Sequence, residues 1–120
     1  MRYGFLGLVA LAASPAMAMP AATFLAKADA LKAKGPMALF SSDLGSLKTE
    51  LNRAFAELKT ERLARVAQHK PPRSCPSPKS SMTSDELIKS MHAIPAAELA
   101  TMQVKDAVIR VLEQKYPCSR

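Results

Sequence analysis

At 120 residues the chain has room for one small domain, and with 17 Lys and Arg against 10 Asp and Glu it carries a formal charge of +7. That length is near the lower end of the usual range for one domain, and that charge suits anionic partners: envelope polymers, anionic lipid headgroups or acidic proteins. With no Trp, the apolar content rests on Ala, Leu and Met, so the core is modest and the stability margin thin unless something reinforces it.

The first stretch, MRYGFLGLVALAASPAMA, has one cation (Arg2), an apolar run from Phe5 to Ala13, then Ser14-Pro15 and the small-x-small ending Ala16-Met17-Ala18. That is the order of a secretory signal peptide over residues 1–18, cut after Ala18. The apolar run is shorter than the roughly 20 residues of a spanning helix, so an uncleaved anchor is the lesser reading. No cysteine lies near the cut, which disfavours a lipoprotein. Cleavage leaves a single helical domain over 19–120, lowers the charge to +6 by removing Arg2, and makes the protein periplasmic or secreted. No later segment is long and apolar enough to span a bilayer. Nucleic acid is a poor partner for an exported chain, and no recognition motif for it is present.

From residue 21 the pattern is helical. Phe24, Leu25, Ala28 and Leu31 share one side, and Gly35 is a stop, which predicts a helix over about 21–33. Next, Phe40, Leu44, Leu47, Leu51, Phe55 and Leu58 recur at helical spacing, and Leu63 and Val66 extend the stripe with some drift. Lys48, Asn52, Glu57 and Lys59 fall on the opposite face. Glu57 and Glu61 repel, while Glu61 and Arg65 attract at i,i+4. The spacing predicts one long helix over about 37–68, ended by Pro71-Pro72, with a break or kink possible near 41–46, where Ser41, Ser42 and Gly45 are weak helix formers.

Residues 70–82, KPPRSCPSPKSSM, form a Pro/Ser-rich linker in extended chain. Thr83 and Glu86 then have capping-box spacing, and Met82 and Leu87 the positions of a hydrophobic staple. Leu87, Ile88, Met91 and Ile94 give the inner face of a helix over about 84–93. Pro95 starts another short turn. Thr101 is the candidate cap of a last helix whose buried stripe is Val104, Val108, Val111 and Leu112. Lys115 suits its C-terminal dipole, and Pro117 stops it. No period-two pattern and no internal repeat appears. The expected fold class is all-α: one long amphipathic helix with several short helices packed on it.

Two cysteines, Cys75 in the linker and Cys118 after the last helix, are an even count in an exported chain and point to one disulfide. The alternatives are free thiols, an intermolecular bridge or a redox cysteine, but there is no Cys-x-x-Cys and no flanking His. A ring of 43 positions restricts the unfolded chain by roughly 4 kcal/mol at most.

Catalytic chemistry finds little footing. His69 and His92 are the only histidines, and no ligand cluster surrounds either at metal spacing. His69 stands where the long helix ends and suits a C-cap or plain exposure. His92 falls on a polar face. There is no nucleophile elbow and no glycine-rich phosphate loop. No catalytic, cofactor or metal site is expected, and the chain is not expected to be an enzyme. Arg53, Lys59, Arg62, Arg65, Lys70 and Arg73 concentrate toward the end of the long helix and the linker. They form either a solvated face or a patch for an anionic partner. Met82, Met91 and Met102 are core residues first and an adaptable binding surface second.

Residues 75–118, with a loop cysteine, the segment IPAAELA and an amphipathic helix ending in YPC, resemble the small exported immunity proteins of the Tai type. The resemblance implies a helical region with bridged cysteines, periplasmic residence, and a partner in the form of a cell-wall amidase delivered by a type VI secretion system. The leading expectation is therefore an exported, disulfide-stapled helical binding protein, immunity-like in action. The alternative is a basic envelope structural or stress protein contacting anionic lipid or wall polymer. A small hydrolase would rest on Ser42, Asp43 and His69.

Overall fold

The computed structural model describes residues 19–118; the signal-peptide reading of 1–18 lies outside the described residues. The fold is all-α, as the periodicity implies. Helices α1 (Ala21–Lys34), α2 (Ser42–Ala67), α3 (Ser84–His92), α4 (Ala96–Leu99) and α5 (Val104–Lys115) pack around one core, with a 3₁₀ turn, Gly35–Phe40, between α1 and α2. No strand occurs among the described residues, and a single antiparallel bridge joins Pro20 to Gln103. No helix among them is long and apolar enough to cross a membrane.

α1 buries Ala21, Phe24, Leu25, Ala28 and Leu31, the face its sequence marks. It stops because Gly35 takes φ 59°, a conformation that costs an L residue with a Cβ, and because Pro36 follows without an amide hydrogen. The long helix expected over 37–68 therefore begins later. Ser41 is extended (φ −85°, ψ 135°), and its Oγ accepts the Asp43 N–H at 3.2 Å. The residue counted as a weak helix former is thus the N-cap. Ahead of it the 3₁₀ turn holds Met37, Leu39 and Phe40 at 65, 75 and 83% exposure, so Phe40 does not belong to the buried stripe.

α2 buries Leu47, Glu50 and Ala54, with Leu44, Leu51 and Leu58 half-buried beside them. Its outer end runs past the helices that cover it, and Phe55, Leu63 and Val66 stay exposed. The helix closes at Gln68. His69 takes φ 60° and donates its N–H to the Val66 carbonyl, and Lys70 donates to that of Arg65. That is a Schellman arrangement with histidine in the left-handed position.

α5 is the most deeply buried element: Val104, Ala107, Val108 and Val111 are 0–2% exposed. It lies against α1, α2 and α3. Its N-cap is Gln103, whose N–H donates to Asp106 at 3.1 Å; Thr101 is not the cap, because its hydroxyl donates to the Glu98 carbonyl instead. In α3 the expected capping box is half formed. Thr83 Oγ accepts the Glu86 N–H, while the Glu86 carboxylate reaches Lys115 at 2.6 Å. Leu87, Met91 and Ile94 are buried, and Met82 and Met102 pack at the edge of the same core, which favours the core reading of the methionines.

The disulfide Cys75–Cys118 is formed, with α-carbons 4.9 Å apart. Cys75 donates its N–H to the Tyr116 carbonyl at 2.7 Å, and the Tyr116 hydroxyl donates to the Ser81 carbonyl. The proline-rich crossing is thus fastened along the end of α5 by the disulfide and by these two hydrogen bonds.

Candidate functional site

That crossing shapes one side of a groove. The outer half of α2, the segment from Pro72 to Pro76 and the outward side of α5 enclose about 270 Å³. Leu58, Ile109 and Leu112, buried or half-buried, give it an apolar bed, and Phe55, Pro72 and Pro76 widen it. Ile109 is the residue of α5 that turns away from the main core to this side. Lys59, Arg62, Arg65 and Arg73 also line the groove.

Four of the six cations singled out in the sequence thus meet at one place, because one α2 face carries Lys59, Arg62 and Arg65 and the linker returns Arg73 beside them. Two of these are committed within the chain. Arg65 Nε donates to the Pro71 carbonyl at 2.8 Å, which holds the linker to the end of α2. Arg73 pairs with Glu113 at 3.1 Å. Lys59 and Arg62 are exposed and have no ion-pair partner among the described residues. Arg53 lies elsewhere, paired with Glu50 on the N-terminal side of α2, and Lys70 is exposed beyond the end of the helix. The attraction expected between Glu61 and Arg65 is replaced by a longer-range one: Lys105 of α5 sits 3.2 Å from Glu61 and 3.8 Å from Glu57 and relieves their repulsion.

The histidines lie outside the groove lining. His69 caps α2 through its backbone, and His92 Nε2 is 2.9 Å from Asp29 Oδ1 across the surface between α3 and α1. Ser42 and Asp43 sit at the opposite end of α2 from His69, some 26 residues or about 39 Å along the axis, so the three do not form a site. A second recess of about 350 Å³ lies among α1, the 3₁₀ turn, α2 and α3, lined mainly by Phe24, Leu31, Leu47 and Leu51.

Sequence reasoning missed the buried Glu50. A carboxylate one turn from Leu47 and Ala54 on the inward face was the available signal. Comparison of the chain with family models, curated proteins and solved structures gives no match.

Proposed function

We propose that this is an exported, disulfide-stapled helical protein that acts by binding, covering a partner protein in the manner of the Tai-type immunity proteins its C-terminal third resembles. The observation that carries the reading is the groove: an apolar bed between two helices, with Lys59 and Arg62, which have no ion-pair partner among the described residues, at its margin. Such a surface suits an acidic amphipathic segment, whose apolar side chains enter between α2 and α5 while its carboxylates meet the two cations. The disulfide supports the same reading, since it holds the proline wall in place before a partner arrives. A cell-wall amidase is the partner the resemblance implies.

The test is capture from periplasmic extract on the immobilised protein, with Lys59→Glu/Arg62→Glu as comparison. An amidase is expected to be retained, to lose wall-hydrolysing activity in the complex, and to be released by the double variant and by high salt. Recovery of no envelope amidase, or equal recovery on the variant, would reject the reading.

A second reading, contact with anionic lipid, draws on a different surface. Met37, Leu39 and Phe40 project from the 3₁₀ turn, with Lys32 and Lys34 close by in the last turn of α1. Sedimentation with phosphatidylglycerol vesicles, lost in Leu39→Ser/Phe40→Ser, would favour it.

A further inference from the structure

Glu50 is a carboxylate with 9% exposure on the inward face of α2, where an ion without partners is strongly disfavoured. Arg53, one turn on, pairs with its Oε1. Its Oε2 faces the backbone nitrogen of Met19 at 3.4 Å, longer than a good N–H···O bond. That nitrogen is held in place by its neighbours. The Met19 carbonyl accepts from Val104 N–H at 3.3 Å, Pro20 bridges to Gln103, and Ala21 N–H donates to the Met102 carbonyl at 2.8 Å.

Met19 is also the residue that follows the small-x-small ending Ala16-Met17-Ala18. Two separate observations, a cleavage signal and a buried carboxylate, therefore converge on one atom. We infer that Glu50 is the receptor for the α-ammonium group created when the chain is cut between Ala18 and Met19, so that processing completes the fold. The inference rests on the export reading and concerns a site apart from the groove. In the cut, a signal peptidase adds water across the peptide bond. The carbon–nitrogen bond breaks, Ala18 leaves as a carboxylate, and Met19 keeps its nitrogen, which takes up a proton.

The charges around this nitrogen fit a cation. Glu50, Glu57 and Glu61 stand against Arg53 and Lys105, and Lys105 already serves Glu57 and Glu61. These five groups carry one excess negative charge, which an ammonium cancels and an amide does not. The recess between Met19, Glu50, Arg53 and Gln103 holds only about 10 Å³, room for one water at most, so little solvent separates the ammonium from the nearly buried carboxylate. A charged donor closes to a shorter, stronger bond than the amide it replaces. The uncut chain lacks that bond and is the less stable form while it is being exported.

The experiment compares the processed protein from the periplasm with the uncut full chain, oxidised in vitro, each with and without Glu50→Gln. Intact mass first establishes the N-terminus. With Met19 at the terminus, Glu50→Gln is expected to lower Tm by about 5 °C more in the processed form than in the uncut one. A further chain with one extra alanine ahead of Met19 displaces the ammonium by about 3.5 Å and is expected to show the Tm of the uncut form; it keeps Glu50 and so answers the question even where Glu50→Gln fails to fold. Equal effects of Glu50→Gln in both forms, or an alanine-extended chain as stable as the processed one, would overturn the inference. A processed chain beginning elsewhere overturns it at its first step, and the mass separates that result from the others.

Discussion

Lys115 Nζ lies 2.6 Å from Glu86 Oε2, joining the last turn of α5 to the first turn of α3. The contact draws each group toward its charged form. The Lys115 hydrogen bond, then its charge, hold the Glu86 carboxyl below its ordinary range; desolvation opposes this, and the Thr83 backbone adds a lesser lowering. The Glu86 hydrogen bond likewise raises Lys115. A carboxylate depressed in the folded state stabilises the fold above its unfolded pKa and loses that contribution as pH falls through the folded value. A raised lysine stabilises below its unfolded pKa and loses it as pH rises through the folded one. The pair is therefore expected to contribute at neutral pH and to fail at both extremes. Carboxyl-detected NMR is expected to show Glu86 titrating low in the wild type and at its ordinary value in Lys115→Gln; a low titration in both would reject the pairing.

Loss of the disulfide is expected to lower stability by about 4 kcal/mol. Urea unfolding of the Cys75→Ser/Cys118→Ser variant, compared with wild type with and without reductant, measures it. A midpoint unchanged by reductant would show that the bridge contributes nothing.

Two residues with positive φ give opposite expectations. Gly35→Ala places a Cβ in a strained backbone with open space around it, so the loss of about 1–2 kcal/mol is conformational rather than steric. His69→Gly relieves the same kind of strain at the end of α2 and is expected to raise stability by up to about 1 kcal/mol. Thermal unfolding of the two variants checks both signs.

The groove cations separate binding from folding. Lys59→Ala and Arg62→Ala remove exposed groups without ion-pair partners among the described residues and are expected to change stability by no more than about 0.5 kcal/mol. Arg73→Ala breaks the pair with Glu113 and loosens the proline wall. Proteolysis within 70–82 is expected to quicken in Arg73→Ala and not in Arg62→Ala, with cleavage rates as the measure.

Helix existence and facing were legible in the sequence wherever local chemistry decided them. The stripes of α1, α3 and α5 and the stop at Pro117 follow from side-chain spacing and from proline. The start of α2 was harder, since Ser41 weakens a helix when inside it and strengthens one when capping it, and Gly35 and Pro36 decide between these. Periodicity also marks a side without saying whether anything covers it. Leu63 and Val66 keep the helical rhythm, yet α2 is longer than the elements laid against it, and they remain bare. Lys105, and the contact of Glu50 with Met19, were invisible beforehand because the groups that meet lie far apart in sequence. The groove needs three separated segments at once; its cations and the apolar residues Phe55, Leu58 and Leu112 could be marked beforehand, but not their meeting.

The sulfur bond encloses α3, α4 and α5 in one covalent loop and leaves α1 and α2 on an open tail. A protease that nicks the backbone once between 76 and 117 therefore releases nothing, and the clipped molecule migrates whole until a reductant is added. A nick ahead of Cys75 leaves two pieces joined by noncovalent contacts alone, so survival under proteolysis is set by how well the stretch from α1 to the proline crossing resists attack.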